Sequence, residues 1–65
     1  MKAQELREKT LEELKSDLRD QQEELFQYRF QATLGKLDNK IVIRKIRRNI
    51  ARLKTIINQK QNQIR

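Results

Sequence analysis

Lys and Arg side chains are concentrated between residues 40 and 54, and their chemistry is that of phosphate binding. This stretch reads KIVIRKIRRNIARLK and contains seven basic residues and no acidic one. Basic side chains hold phosphates by charge and hydrogen bonds, and neutralising the phosphates releases counterions from a nucleic acid. The seven are Lys40, Arg44, Lys45, Arg47, Arg48, Arg52 and Lys54. Their density predicts a surface for a polyanion.

A solvated helix surface is the alternative explanation of such a run. Solvated surfaces usually mix charges, because Glu and Lys three or four residues apart stabilise a helix by roughly 0.2–0.5 kcal/mol per pair and like charges cost a similar amount. Here Arg44, Arg48 and Arg52 follow one another at intervals of four and form a like-charged row. Nothing within the helix explains that repulsion, so we favour a nucleic-acid backbone as its partner.

The helix that carries these charges also has an apolar side. Its apolar residues recur at spacings of three and four, the period of one helix face. They are Ile43, Ile46, Ile50, Leu53 and Ile57. The helix is therefore expected to pack one side against a partner and to present its charges on the other.

The partner predicted for that apolar side is a second long helix earlier in the chain. Its start is marked by Thr10 and Glu13, which fit a capping box at a helix N-terminus. The inward residues alternate in steps of three and four, as in a coiled coil, with one polar insertion at Gln21. The full predicted set is Leu11, Leu14, Leu18, Gln21, Leu25, Tyr28 and Ala32.

A short break separates the two long helices. Gly35 is the only glycine and fits the left-handed position that ends a helix, while Asp38 or Asn39 fits the N-cap of the next helix. Two long helices joined by so short a loop must run antiparallel. In that arrangement the set 11, 18, 25 and 32 lies opposite the set 64, 57, 50 and 43.

The predicted fold is all-α: an antiparallel two-helix coiled-coil-like hairpin with a short N-terminal helix. We expect one domain over residues 1–65, since 65 residues are too few for more. Its predicted parts are a short helix over 1–9, a long helix over 10–34, a turn over 35–39 and a long basic helix over 40–63. Residues 1–9 have Leu6 as their one large anchor and are expected to be mobile unless something holds them. The polar tail over 58–65 is expected to fray.

Composition excludes several classes of function. With no Cys and no His, the chain has no disulfide, no thiolate or imidazole metal site and no imidazole-assisted nucleophile. The acidic residues of the second helix are expected on its solvent side without a pocket to shift a pKa, so we expect no enzyme and no cofactor. No run approaches the roughly 20 apolar residues of a membrane span, and no secretory signal is recognisable, so a cytoplasmic location is expected.

Charge also divides the chain into two halves. Residues 1–34 carry six basic and eight acidic residues, whereas residues 35–65 carry ten basic and one acidic residue. The net charge of +7 therefore comes from the second half. Two basic residues outside the long basic helix, Arg29 and Lys36, complete the set predicted to contact the polyanion.

Phe26 and Phe30 do not belong to the seam, by which we mean the apolar residues that each long helix turns toward the other. One interpretation is packing, with Phe26 covering the edge of the seam and Phe30 lying under the N-terminal turn. The other is contact with another protein or a stacked base, because exposed aromatic side chains are favoured at interfaces. The sequence leaves both open.

Three blocks resemble one known family. The first is Met1-Lys2-Ala3 with Glu5-Leu6-Arg7, the second is the run from Leu25 to Thr33, and the third is Arg47-Arg48-Asn49-Ile50-Ala51-Arg52-Leu53-Lys54-Thr55. In this order they closely resemble the bacterial form of the large-subunit ribosomal protein number twenty-nine family. The match extends over nearly the whole chain.

The resemblance implies a non-catalytic, structural constituent of the large ribosomal subunit, folded as a hairpin. It implies binding to large-subunit ribosomal RNA near the rim of the polypeptide exit tunnel, with Arg47, Arg48 and Arg52 matching basic positions of the motif. Implied neighbours are large-subunit protein number twenty-three and the factors that target or fold nascent chains. The alternative function is a free-standing basic coiled-coil module that meets an acidic protein or a membrane surface.

Overall fold

Three helices build the described part of the chain. The computed structural model describes residues 2–35 and 40–63, and within them it contains α1 (Ala3–Glu8), α2 (Leu11–Thr33) and α3 (Lys40–Gln63) and no strand. The two long helices pack along one another as a hairpin, and α1 packs on α3. The molecule is a rod of 47 × 17 × 14 Å. The predicted all-α hairpin with a short N-terminal helix is confirmed.

The start of α2 is capped as its sequence predicts. The Thr10 hydroxyl oxygen accepts a hydrogen bond from the Glu13 backbone N–H at 3.2 Å, which satisfies one of the unpaired donors of the first turn. The same hydroxyl donates to Glu13 Oε1 at 3.0 Å. The Glu13 carboxylate thus holds the Thr10 side chain, whereas in the usual capping box it accepts from the N-cap backbone.

The end of α2 is also set by local chemistry. Gly35 has φ +73, the left-handed conformation that costs residues with a Cβ about 1–2 kcal/mol. Its N–H donates to the Ala32 carbonyl at 3.0 Å, and the N–H of Leu34 donates to the Phe30 carbonyl at 3.2 Å. The predicted role of Gly35 is therefore confirmed. The predicted caps of α3, Asp38 and Asn39, lie outside the described residues.

The core lies at the end of the hairpin where α1 docks. Its buried cluster consists of Leu6, Leu14, Leu53, Ile56 and Ile57, with Leu11 and Leu18 packed against it. Ile46 is buried further along α3. The predicted seam is therefore real, but its burial is uneven and is greatest where three helices meet rather than two.

Burial along the rest of the seam falls toward the loop. Leu25, Tyr28, Ile43 and Ile50 are half-buried, and Ala32 is exposed, so the prediction that Ala32 points inward is wrong. At this end α1 is absent, and two helices in contact cover each other on one side only. The polar insertion at Gln21 is half-buried, and its Nε2 donates to Glu24 Oε2 at 3.3 Å.

The N-terminal segment, which was expected to be mobile unless something holds it, is anchored in the core by Leu6. Leu6 is only 2% exposed because it enters the core beside Ile56, which is 3% exposed and was not selected by the seam pattern. Lys9, just after α1, adds an ion pair in which its Nζ donates to Asp17 Oδ2 at 2.6 Å. This hydrogen bond raises the pKa of Lys9 above its ordinary value.

The C-terminal part of α3 is polar but helical. α3 continues to Gln63, and the expected fraying of residues 58–65 stays a prediction. Ile56 and Ile57 anchor the turn before this segment in the core, so helix propagation from an anchored turn costs little.

Candidate nucleic-acid interface

The seven basic residues of α3 that were predicted to bind the polyanion are all exposed. With 3.6 residues per turn, the row formed by Arg44, Arg48 and Arg52 lies about 120–160° around the helix from the buried Ile46. A second row of Lys40, Arg47 and Lys54 follows one flank at intervals of seven, and Lys45 lies on the other flank. We call these seven residues, Lys40, Arg44, Lys45, Arg47, Arg48, Arg52 and Lys54, the α3 basic face.

The helix that carries this face has no acidic residue of its own, whereas Glu5 and Glu8 lie on α1, which packs on α3. Residues 40–63 contain no Asp or Glu, and the carboxylates between residues 12 and 24 all lie on α2. Neighbouring charges on α3 lie within about one Debye length, roughly 8–10 Å at physiological salt, so their fields add. The face therefore presents a continuous positive potential over about 21 Å, the rise of fourteen helical residues.

The two remaining basic residues predicted for the site lie elsewhere. Arg29 is exposed near the end of α2, where its backbone carbonyl accepts a hydrogen bond from Thr33 Oγ1 at 2.9 Å. Lys36 lies outside the described residues. The structure thus brings seven of the nine predicted basic residues together on one helix and places Arg29 on the other.

Phe26 and Phe30 form an exposed aromatic pair on α2. They are 68% and 56% exposed, and their rings stack with centroids 6.3 Å apart and planes 17° from parallel. Leu34, one turn further, is also more than half exposed. These three residues, Phe26, Phe30 and Leu34, are the outer apolar stripe. Packing of Phe30 under the N-terminal turn is wrong, because α1 docks at the other end of the hairpin.

One basic residue near α3 escaped the sequence analysis. Arg7 of α1 lines a groove of about 360 Å³ together with Arg48 and Arg52 of α3. The other lining residues are Ala3, Ala51, Thr55, Ile56 and Gln59. Arg7 could have been predicted from its neighbour Leu6. If Leu6 is paired with Ile56, α1 lies alongside α3 and Arg7 comes close to the α3 basic face.

Other kinds of site find little support in the structure. Within residues 2–35 and 40–63, no three acidic side chains come together in a way that could hold a metal ion. None of the helices described is long and apolar enough to cross a membrane. Asp17, the one half-buried carboxylate of α2, is occupied by the ion pair with Lys9.

Comparison with known proteins agrees with the arrangement of blocks in the sequence. The pattern of the family described as Ribosomal L29 protein matches residues 4–60. A protein named "Large ribosomal subunit protein uL29" from Pelotomaculum thermopropionicum is 52% identical over 65 residues, which cover 100% of this chain and 97% of the relative. The protein of the same name from a Thermoanaerobacter species is 51% identical and is covered to 94%.

A more distant relative gives the same result. The uL29 protein of Geobacillus stearothermophilus is 46% identical over 61 residues, which cover 94% of this chain and 92% of the relative. The family match includes all of α1 except Ala3, the whole of α2 and the α3 basic face. The chain belongs to the ribosomal L29 protein family.

Proposed function

We propose that the protein is a structural, non-catalytic constituent of the large ribosomal subunit that binds large-subunit ribosomal RNA through the α3 basic face. That the protein is a structural, non-catalytic constituent of the large subunit follows from its membership of a ribosomal protein family. Such a constituent works on the ribosome, in the bacterial cytoplasm. RNA binding is inferred from the α3 basic face, which has seven exposed Lys and Arg residues and no acidic residue on the same helix.

The geometry suits recognition by charge and shape rather than by base sequence. Phosphate contacts fix the position and orientation of a protein on a nucleic acid but carry no direct sequence information. Double-stranded RNA is read largely by shape, because its deep, narrow major groove excludes side chains. A stiff rod 17 × 14 Å across with charges along one side can lie between RNA helices and neutralise their facing phosphates.

The resemblance extends the proposal to a location and to neighbours. It supports a position near the rim of the polypeptide exit tunnel, beside large-subunit protein number twenty-three and close to factors that target or fold nascent chains. The outer apolar stripe on α2 is the surface we assign to a protein contact. Exposed aromatic side chains on a rigid helix bury much area at small entropic cost.

An acidic protein or a membrane surface is the competing partner. A membrane-surface helix needs exposed apolar residues alongside its basic ones. On α3 the apolar residues Ile46, Leu53, Ile56 and Ile57 are buried and Ile41 is a large exposed apolar residue near its start, whereas the outer apolar stripe lies on α2. This separation favours RNA as the partner of the basic face.

A salt titration of the full chain tests RNA binding directly. We expect affinity for large-subunit ribosomal RNA to fall linearly with the logarithm of salt concentration, with a slope of about −0.7 to −0.9 per phosphate contacted. Anionic lipid vesicles serve as the comparison and should bind much less protein at equal salt. Tight binding to vesicles with no binding to the RNA at low salt would contradict the proposal.

Replacing Phe30 with Ala tests the protein contact. Because Phe30 is more than half exposed, we expect its loss to change the free energy of unfolding of the free protein by less than about 1 kcal/mol. Retention on the large subunit in a high-salt wash should nevertheless fall, since salt weakens phosphate contacts and leaves apolar ones. Ile41→Ala is the matched control, because Ile41 is exposed on α3 outside the stripe. If both variants are retained equally, the outer apolar stripe does not contact a protein of the large subunit.

A further inference from the structure

Amide side chains continue the α3 basic face toward the end of the helix. Around a helix axis, residues eleven apart lie within about 20° of one another, and residues eighteen apart have the same direction. Asn58 is therefore in line with Arg47, and Asn62 is in line with Arg44. We call the three exposed amides on this side, Asn58, Gln59 and Asn62, the α3 amide patch.

The α3 amide patch differs from the basic face because it has no charge. Lys60 is the only charged residue between residues 55 and 63. It is half-buried and lines a hollow of about 110 Å³ together with Arg7 and Ile56, so it lies on another side of α3. A surface built for phosphates alone would continue with Lys and Arg. The change from charges to amides indicates a second kind of contact on the same side of the helix.

Solvation alone does not explain the choice of amides. Lys, Arg and Glu are better helix formers than Asn, whose side chain competes for backbone hydrogen bonds. Asn58 lies in the interior of α3, where this cost applies. Within residues 2–35 and 40–63, no side-chain hydrogen bond to another residue occupies the three amides. Their donors and acceptors are therefore available to a partner.

These groups match the 2′-hydroxyl of a ribose. An amide side chain offers an acceptor oxygen and two N–H donors. A 2′-hydroxyl also both donates and accepts, whereas an ionised phosphate only accepts. In an RNA duplex the 2′-hydroxyls line a wide, shallow minor groove, which side chains on a helix can reach. Asn58 and Asn62 are separated by a rise of about 6 Å, so both can contact one groove.

We propose that the α3 amide patch binds 2′-hydroxyl groups in the minor groove of a double-stranded segment of large-subunit ribosomal RNA. The inference rests on the proposed function and deepens it. One side of α3 then makes two kinds of contact: the α3 basic face neutralises phosphates, and the α3 amide patch hydrogen-bonds sugars. Phosphates are common to RNA and DNA, so the amides supply the distinction between them.

Replacing both Asn58 and Asn62 with Ala tests the inference. We expect the full chain with these changes to bind large-subunit ribosomal RNA about tenfold more weakly at every salt concentration, because the hydrogen bonds are lost. The slope of affinity against salt should stay that of wild type, since no charge is removed. Ala is a better helix former than Asn, so circular dichroism should show no loss of helix.

The matched control replaces Gln22 and Gln27 with Ala. Both are exposed amides on α2, and the change again removes two amides and no charge. We expect this control to bind the RNA as wild type does. Equal affinities of the two double variants for large-subunit RNA would overturn the inference.

A pair of duplexes tests the 2′-hydroxyl directly. The probes are the RNA duplex that binds most tightly among a set covering the helices of large-subunit RNA, and the DNA duplex of the same sequence. We expect the wild-type chain to prefer the RNA duplex about tenfold and the Asn58 and Asn62 variant to lose that preference. A wild-type chain without the preference, or a variant that weakens binding to both duplexes equally, would contradict 2′-hydroxyl recognition.

The inference and the proposed function fail in different ways. If reversing the charges at Arg44 and Arg47 abolishes RNA binding while the Asn58 and Asn62 variant binds as wild type, the amides make no contact and the α3 basic face still binds RNA. If neither variant changes the affinity for large-subunit RNA, both the inference and the proposed function are wrong.

Discussion

Replacing both Arg44 and Arg47 with Glu is expected to weaken binding to large-subunit ribosomal RNA more than about 100-fold at about 0.1 M salt. At that salt each phosphate contact contributes about 0.7–0.9 decades of affinity through counterion release, and charge reversal adds repulsion to the lost contact. Both side chains are exposed, so the hairpin should keep its helicity. Fluorescence anisotropy with labelled RNA gives the affinity, and circular dichroism checks the fold.

The matched control for this double variant is Lys15→Glu with Arg19→Glu. These two exposed basic residues lie on α2, so the variant changes net charge by the same amount away from α3. If RNA responds only to the net charge of the protein, both variants should lose affinity equally. If it contacts the α3 basic face, the control should stay within a few fold of wild type. RNA affinity equal to wild type in the folded Arg44 and Arg47 variant would rule out this face as the binding surface.

The hairpin could be predicted because its signals are local. Thr10 and Glu13 start α2 by chemistry within one turn, and Gly35 ends it because its left-handed φ disfavours a Cβ. The apolar period of three and four then fixes which side of each long helix faces the other. These features do not depend on knowing which distant segments of the chain contact one another.

The unpredicted part of the fold depends on contacts between distant segments. Ile56 stands next to Ile57 in the sequence. If α3 is assumed to have a single apolar side that faces α2, Ile56 lies at the edge of that side. In the structure it faces a second partner, α1, whose six residues are too few to show a period of their own. The same missing contact explains why no partner was assigned to Leu6 and why the sequence alone did not show that burial falls toward Ala32.

In the candidate site too, some features could be predicted from local sequence and others depend on contacts between distant segments. The charges of α3 could be assigned to the surface from sequence, because residues opposite a buried seam must face solvent. Phe30 could not be assigned, since its exposure depends on which end of the hairpin α1 covers. Arg7 was missed for a related reason: its place beside Arg48 and Arg52 follows from the docking of α1 and not from any spacing in the sequence.

Leu53→Ala is expected to leave the free protein largely unfolded at 25 °C. Leu53 is 0% exposed and packs in the cluster that joins all three helices, whereas the central seam residue Ile50 is only half-buried. Truncating a buried Leu costs about 2–5 kcal/mol, and a core of this size rarely supplies more than about 3–5 kcal/mol in total. Ile50→Ala should therefore cost less than Leu53→Ala.

Leu34→Ala is the matched control for this prediction, since it removes the same atoms from a side chain that is more than half exposed. Urea titrations followed by circular dichroism should show little change for Leu34→Ala and almost no folded baseline for Leu53→Ala. Large-subunit RNA should restore helicity to Leu53→Ala, because a ligand that binds only the folded state shifts the folding equilibrium by mass action. A Leu53→Ala protein that unfolds at nearly the wild-type urea concentration would mean that the three-helix cluster does not carry the stability of the hairpin.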